Sequence, residues 1–127
     1  MWRPLSAAQL ITAIDGGTLP QESASYEYKE RLPDRNKNSD IAIDVAAMAT
    51  DGGIIIYGVR EDKERLLFAA NPIPLEGVNE RISEIVSSNV REDVQITVQL
   101  HPLEEDSTMG FVVVEVPPSL RAPHMVE

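Results

Sequence analysis

Ala46-Ala47-Met48-Ala49-Thr50-Asp51-Gly52-Gly53-Ile54-Ile55-Ile56-Tyr57-Gly58-Val59 runs a helix end, a glycine turn and a buried strand together without a break. Upstream, Ile41, Val45 and Met48 recur at helical spacing with alanines between them, which gives a narrow apolar face. Gly52 and Gly53 are free to adopt positive φ and so to close that helix. Ile54 to Tyr57 is an unbroken apolar run rich in β-branched residues and bounded by glycines. An alternating run would mark a surface strand; a continuous one marks a strand covered on both faces.

Outward from this centre, each flank has its own period. On the N-terminal side, Ser6-Ala7-Ala8-Gln9 has the form of a capping box, with Leu5 and Leu10 placed as a hydrophobic staple. The helix it starts is expected to end at Ile14 or Asp15, before Gly16-Gly17. Tyr26-Glu27-Tyr28-Lys29 alternates, with the tyrosines on one face and Glu27 and Lys29 on the other. Residues 31–38 have turn chemistry, and Asn38 or Ser39 is expected to cap the helix that follows. On the C-terminal side, Arg60 to Arg65 reads as a charged turn and Leu66 to Ala70 as a hairpin partner of the central strand. Val78, Ile82, Ile85 and Val86 predict an amphipathic helix over 76–89. Val94 to Leu100 alternates as a half-buried strand. Leu103 to Met109 is an acidic hairpin loop, and Phe111 to Val116 is a second continuous strand stopped by Pro117-Pro118. The order predicts an α+β fold: a mixed sheet of about five strands packed with two to three helices.

Composition narrows the function classes. The chain has 127 residues, enough for one domain with a real core, and 43% of them are apolar, which argues against disorder. It contains no cysteine, so disulfides, thiol catalysis and thiolate zinc sites are excluded. No apolar run is long enough to cross a membrane, and no basic-then-apolar leader opens the chain, so the expected location is the cytoplasm. A net charge of −10 opposes the simplest duplex-DNA binder, which carries a basic face. The acidity is uneven, however. Residues 66–127 hold three basic and ten acidic side chains, whereas residues 29–65 hold seven of the eleven Lys and Arg against eight acids. Lys29, Arg31, Arg35 and Lys37 are therefore the place to look for a phosphate-binding patch, against the alternative of a solvated charged loop.

Met48 to Val59 resembles the signature of the Schlafen AlbA-type domain, often attached to bacterial winged-helix regulators and once labelled a divergent AAA ATP-binding domain. Glu22-Ser23-Ala24-Ser25-Tyr26-Glu27-Tyr28-Lys29 resembles the family's opening strand, Val114 to Ser119 its late strand, and Arg121-Ala122-Pro123-His124 the loop after it. The resemblance spans roughly residues 20–125, with 1–17 an added helix and 121–127 a truncated exit loop. On this view residues 1–127 form one domain excised from a longer bacterial protein. The family commonly has Asn where this chain has Ala49.

The resemblance implies a nucleic-acid-binding, transcription-regulatory role on DNA or RNA, with Arg121 and His124 as further phosphate contacts. Some relatives are metal-dependent RNA endonucleases that use two glutamates and an aspartate. Glu22 and Glu27 match the glutamates. Where the family often has Asp after Gly-Val this chain has Arg60, so Glu61 or Asp62 would have to take that place. Read from the residues alone, Glu22, Glu27, Glu61 and Asp62 are oxygen donors on or beside neighbouring strands, which suits Mg²⁺ or Mn²⁺ and phosphodiester hydrolysis. Asp51-Gly52-Gly53 does not suit nucleotide hydrolysis. The glycines follow a helix instead of preceding one, and no Gly-Lys-Ser/Thr is present, so a structural cap is expected. The third reading, favoured by the acidity, is a non-catalytic protein-interaction or homodimerisation module.

Overall fold

The computed structural model describes residues 1–90, 94–119 and 126. The chain folds as an α+β structure in three layers. The elements in order are α1 (Ala7–Asp15), β1 (Tyr26–Lys29), a 3₁₀ turn (Arg35–Lys37), α2 (Asn38–Met48), β2 (Gly53–Tyr57), β3 (Val59–Asp62), β4 (Leu67–Ala70), β5 (Ile73–Pro74), α3 (Val78–Asn89), β6 (Thr97–Pro102) and β7 (Met109–Val116). β2 lies between β1, which is parallel to it, and β7, which is antiparallel. β6 pairs along the other side of β7, and the short β5 pairs with Met109 and Gly110.

Every residue of β2 is buried, as its continuous apolar run predicts. Its alternate side chains feed two separate cores. Ile54 and Ile56 pack with Tyr28, Phe111, Val113 and the α1 residues Leu10 and Ile14. Ile55 and Tyr57 pack with Val112 and Val114 under Ile41 and Val45 of α2 and Ile82 and Ile85 of α3. Full burial of one isoleucine side chain is worth about 2–3 kcal/mol, so the central strand alone anchors both layers. The α2–β2 turn is as tight as the glycine pair suggests. Gly52 takes φ +80 and donates its amide to the Met48 carbonyl at 2.8 Å. Gly53 has a different reason to be glycine: a Cβ there would lie 2.6 Å from the Met48 sulfur.

Four local expectations need correction. Ser6 accepts the Gln9 amide at 3.0 Å, but Gln9 Oε1 accepts from the Leu5 amide, and Leu5 is 70% exposed, so there is no staple. α2 begins after Lys37 with no side-chain cap, and the Asn38 side-chain oxygen Oδ1 accepts from Arg81 instead. Leu67–Ala70 does not pair with the central strand. Gly58, at φ +109, ends β2, and β3 and β4 form their own two-stranded ribbon. β5, at Ile73–Pro74, is a two-residue strand where Asn71-Pro72-Ile73-Pro74 has the turn residues expected only to end the preceding one. Among the described residues no helix is long and apolar enough to cross a membrane.

Candidate nucleic-acid interface

β1, α2 and β2 form one parallel strand-helix-strand unit. Lys29 and Tyr57, the last residues of its two strands, are register partners. A cleft opens at these carboxyl ends, the place where α/β units leave room for ligands between the strand ends and the following loop. The cleft encloses about 290 Å³ and is lined by Lys29, Arg31, Leu32, Pro33, Asp34, Lys37, Asp40, Asp44 and Tyr57. The strand alternation read from Tyr26-Glu27-Tyr28-Lys29 places Glu27 and Lys29 on the α2 side, with the tyrosines facing α1.

Lys29 sits between two carboxylates, 3.0 Å from Glu27 and 3.4 Å from Asp44. Burial opposes its charge, but the hydrogen bonds and charges of Glu27 and Asp44 outweigh that and hold its pKa above the ordinary lysine value. Asp44 responds in the opposite sense. Burial, then the Glu27 charge, raise its pKa, and Lys29 only partly offsets them. The trio thus holds one cation for two carboxylates, and the strain of the excess falls on half-buried Asp44. Tyr57, 1% exposed, forms the floor, and among the described residues nothing hydrogen-bonds its hydroxyl. Burial, followed by the Asp44 and Glu27 charges, pushes that hydroxyl's pKa well above the ordinary range.

The β1–α2 connection carries the other predicted cations. Arg31 and Lys37 line the cleft. Arg31 and Arg35 also border a neighbouring groove of about 260 Å³, shared with Glu76 and Arg81 of the α3 end. None of the ion pairs among the described residues involves Arg31, Arg35 or Lys37. Arg81, which the sequence reading did not single out, anchors the connection. Its Nε and Nη2 donate to Asn38 Oδ1 at 3.2 and 2.7 Å, and Nη2 also donates to the Pro33 carbonyl. A loop with little apolar content is thereby held in place by one guanidinium fork, whose five donors suit two acceptors at once.

The predicted carboxylate set is dispersed. Glu22 is exposed before β1, where its charge adds to burial and Tyr26 in raising the Tyr28 hydroxyl's pKa, while Glu27 points to Lys29 and α2. Glu61 is exposed on β3 opposite Phe68. Asp62 Oδ1 accepts the amides of Glu64 and Arg65 at 3.1 and 3.2 Å, which fixes the β3–β4 turn. Among the described residues no three of the His, Asp or Glu side chains are gathered closely enough to hold one metal ion. No Mg²⁺- or Mn²⁺-dependent step is derived from them. Asp51-Gly52-Gly53 forms the turn between α2 and β2, at the opposite end of the unit from the cleft. Arg121 and His124 lie outside the described residues.

Residues 22–127 match the family described as Schlafen, AlbA_2, and the chain belongs to that family. A comparison with curated proteins returned no match.

Proposed function

We propose that this domain binds nucleic acid and that the β1–α2 connection is its phosphate-contacting surface. One observation carries the reading. In a chain of net charge −10, Arg31, Arg35 and Lys37 stand together on one anchored connection without carboxylate partners among the described residues. Lys29 contributes less to phosphate binding than its position suggests, because Glu27 and Asp44 already neutralise it. Family membership supports the same class of partner.

Cations on a nucleic-acid surface displace condensed counterions, so affinity falls with salt. Three phosphate contacts on a single strand predict a loss of about 20-fold between roughly 50 and 200 mM salt. Fluorescence anisotropy on labelled single-stranded and duplex DNA and RNA reads this directly. In Arg31→Ala/Arg35→Ala/Lys37→Ala, binding should drop and the salt slope should flatten. Affinity that ignores both salt and the triple substitution would rule the surface out.

A further inference from the structure

Beside the basic connection, the cleft itself has a different chemistry. Its walls set three aspartates, Asp34, Asp40 and Asp44, against Lys29, Arg31 and Lys37, so the cleft offers acceptors as well as donors, which suits a base edge carrying both. Leu32 and Pro33 supply an apolar wall, and the Tyr57 hydroxyl lies unpartnered at the floor. That hydroxyl faces the open cleft and makes no hydrogen bond within the described residues, so it remains available to a group that brings its own polar atoms. At about 290 Å³ the space falls at the small end of ligand cavities, right for one planar ring and too small for a folded chain segment.

We infer that the cleft takes a single unpaired nucleobase bearing an exocyclic amine, presented by the strand whose phosphates lie on Arg31, Arg35 and Lys37. The inference rests on the nucleic-acid reading and deepens it. Asp44 offers the amine its oxygen not engaged by Lys29, since the ion pair uses Oδ2. The ring nitrogen or carbonyl beside that amine meets the donors that remain, the Tyr57 hydroxyl and the Lys29 ammonium. Cytosine, adenine and guanine each present an amine on the pairing edge. Thymine and uracil instead present a carbonyl at the corresponding place, which would face a carboxylate. The geometry therefore selects amine-bearing bases, and it requires them unpaired, because their pairing edge is the one being read.

The test compares labelled single strands of equal length, oligo-dC, oligo-dA and oligo-dT, at roughly 50 and 200 mM salt, on the whole chain. Oligo-dC and oligo-dA should bind about tenfold tighter than oligo-dT, the scale of one well-made base contact. In Asp44→Asn the side chain both donates and accepts, so the preference should shrink to within about twofold. Tyr57→Phe keeps the packed ring and should weaken oligo-dC severalfold while leaving oligo-dT unchanged. A parallel titration with free CMP, followed by NMR shifts of the Lys29 and Tyr57 amides, separates a strand-borne base from a free nucleotide. Equal, salt-sensitive binding of all strands in every variant would overturn the base pocket and leave the phosphate surface standing. No salt-sensitive binding of any strand would overturn both. CMP as tight as the strand would overturn presentation by a strand.

Discussion

Tyr28 and Tyr57 lie near the carboxyl ends of adjacent parallel strands, one register position apart, and face opposite sides of the same sheet. Both are buried, and burial raises the pKa of both hydroxyls. On the α1 side the Tyr28 hydroxyl donates to the Pro20 carbonyl, and its ring packs edge-on against Phe68 with 5.1 Å between centroids. On the α2 side the Tyr57 hydroxyl has no partner among the described residues and opens on a polar cleft. Both rings are buried, but only one hydroxyl is partnered within the described residues. A tyrosine whose hydroxyl is tied to backbone is part of the scaffold. One whose hydroxyl is left over at the end of a parallel strand pair marks the floor of the proposed base pocket.

Five measurements would break or sharpen this contrast. The largest effects lie in the shared strand. Ile55→Ala, facing α2 and α3, and Ile56→Ala, facing α1, should each cost about 3 kcal/mol in chemical denaturation, because both are fully buried. A loss below about 1 kcal/mol at either would show that its face is not packed as described. Next, Arg81→Ala removes the fork that holds the connection and should cost about 2 kcal/mol, with faster amide exchange over residues 31–38 and no change in β6. Unchanged exchange there would mean the connection holds itself.

Tyr28→Phe should cost about 1 kcal/mol, since it leaves the Pro20 carbonyl without its donor. Lys29→Met should cost nearly as much near neutral pH, roughly 1 kcal/mol for a partly exposed pair. Its pH dependence has a definite sign. The folded-state pKa of Lys29 is raised above the ordinary lysine value of 10.5, so its contribution is fully present below that value and is lost as pH rises through the folded-state pKa. The gap in Tm between wild type and Lys29→Met should therefore close only in strongly alkaline buffer; a gap that closes below neutrality would reverse the assignment. Smallest of all, Tyr57→Phe should leave stability within about 0.5 kcal/mol of wild type, because no protein hydrogen bond is lost. A cost matching Tyr28→Phe would remove the contrast between the two faces.

Much of the scaffold was legible because its signals are local and periodic. Val78, Ile82, Ile85 and Val86 are all buried on α3, and the continuous runs at Ile54 and Phe111 are the two innermost strands. The failures have physical causes. A single glycine at position 58 with φ +109 redirected the hairpin that the hydrophobic pattern assigned to the centre. Asn38 looked like a helix cap until Arg81, far along the chain, claimed its oxygen. The site was half legible. Clustered cations pointed to Lys29, Arg31, Arg35 and Lys37, but no pattern in the sequence sets Asp44 apart, and Tyr57 closes a continuous apolar run like any buried residue. The evenly spaced glutamates at 22 and 27 suggested a shared metal, yet spacing along a chain that turns before β1 does not bring the two carboxylates together with Glu61.

The cleft takes all its lining from a continuous run of sequence, Lys29 to Tyr57, while the turn that sets β2 in the sheet lies at the far end of the same unit. The two connections therefore tolerate change very differently. Residues 30–37 could lengthen or shorten and reshape what the cleft accepts without moving one strand pairing. Residues 49–53 could not: one inserted residue would rotate every side chain of β2 to the opposite layer, burying the wrong faces and turning Tyr57 away from the cleft. Change in the proposed base pocket thus falls to the first connection, while close contacts at Gly52 and Gly53 hold the second.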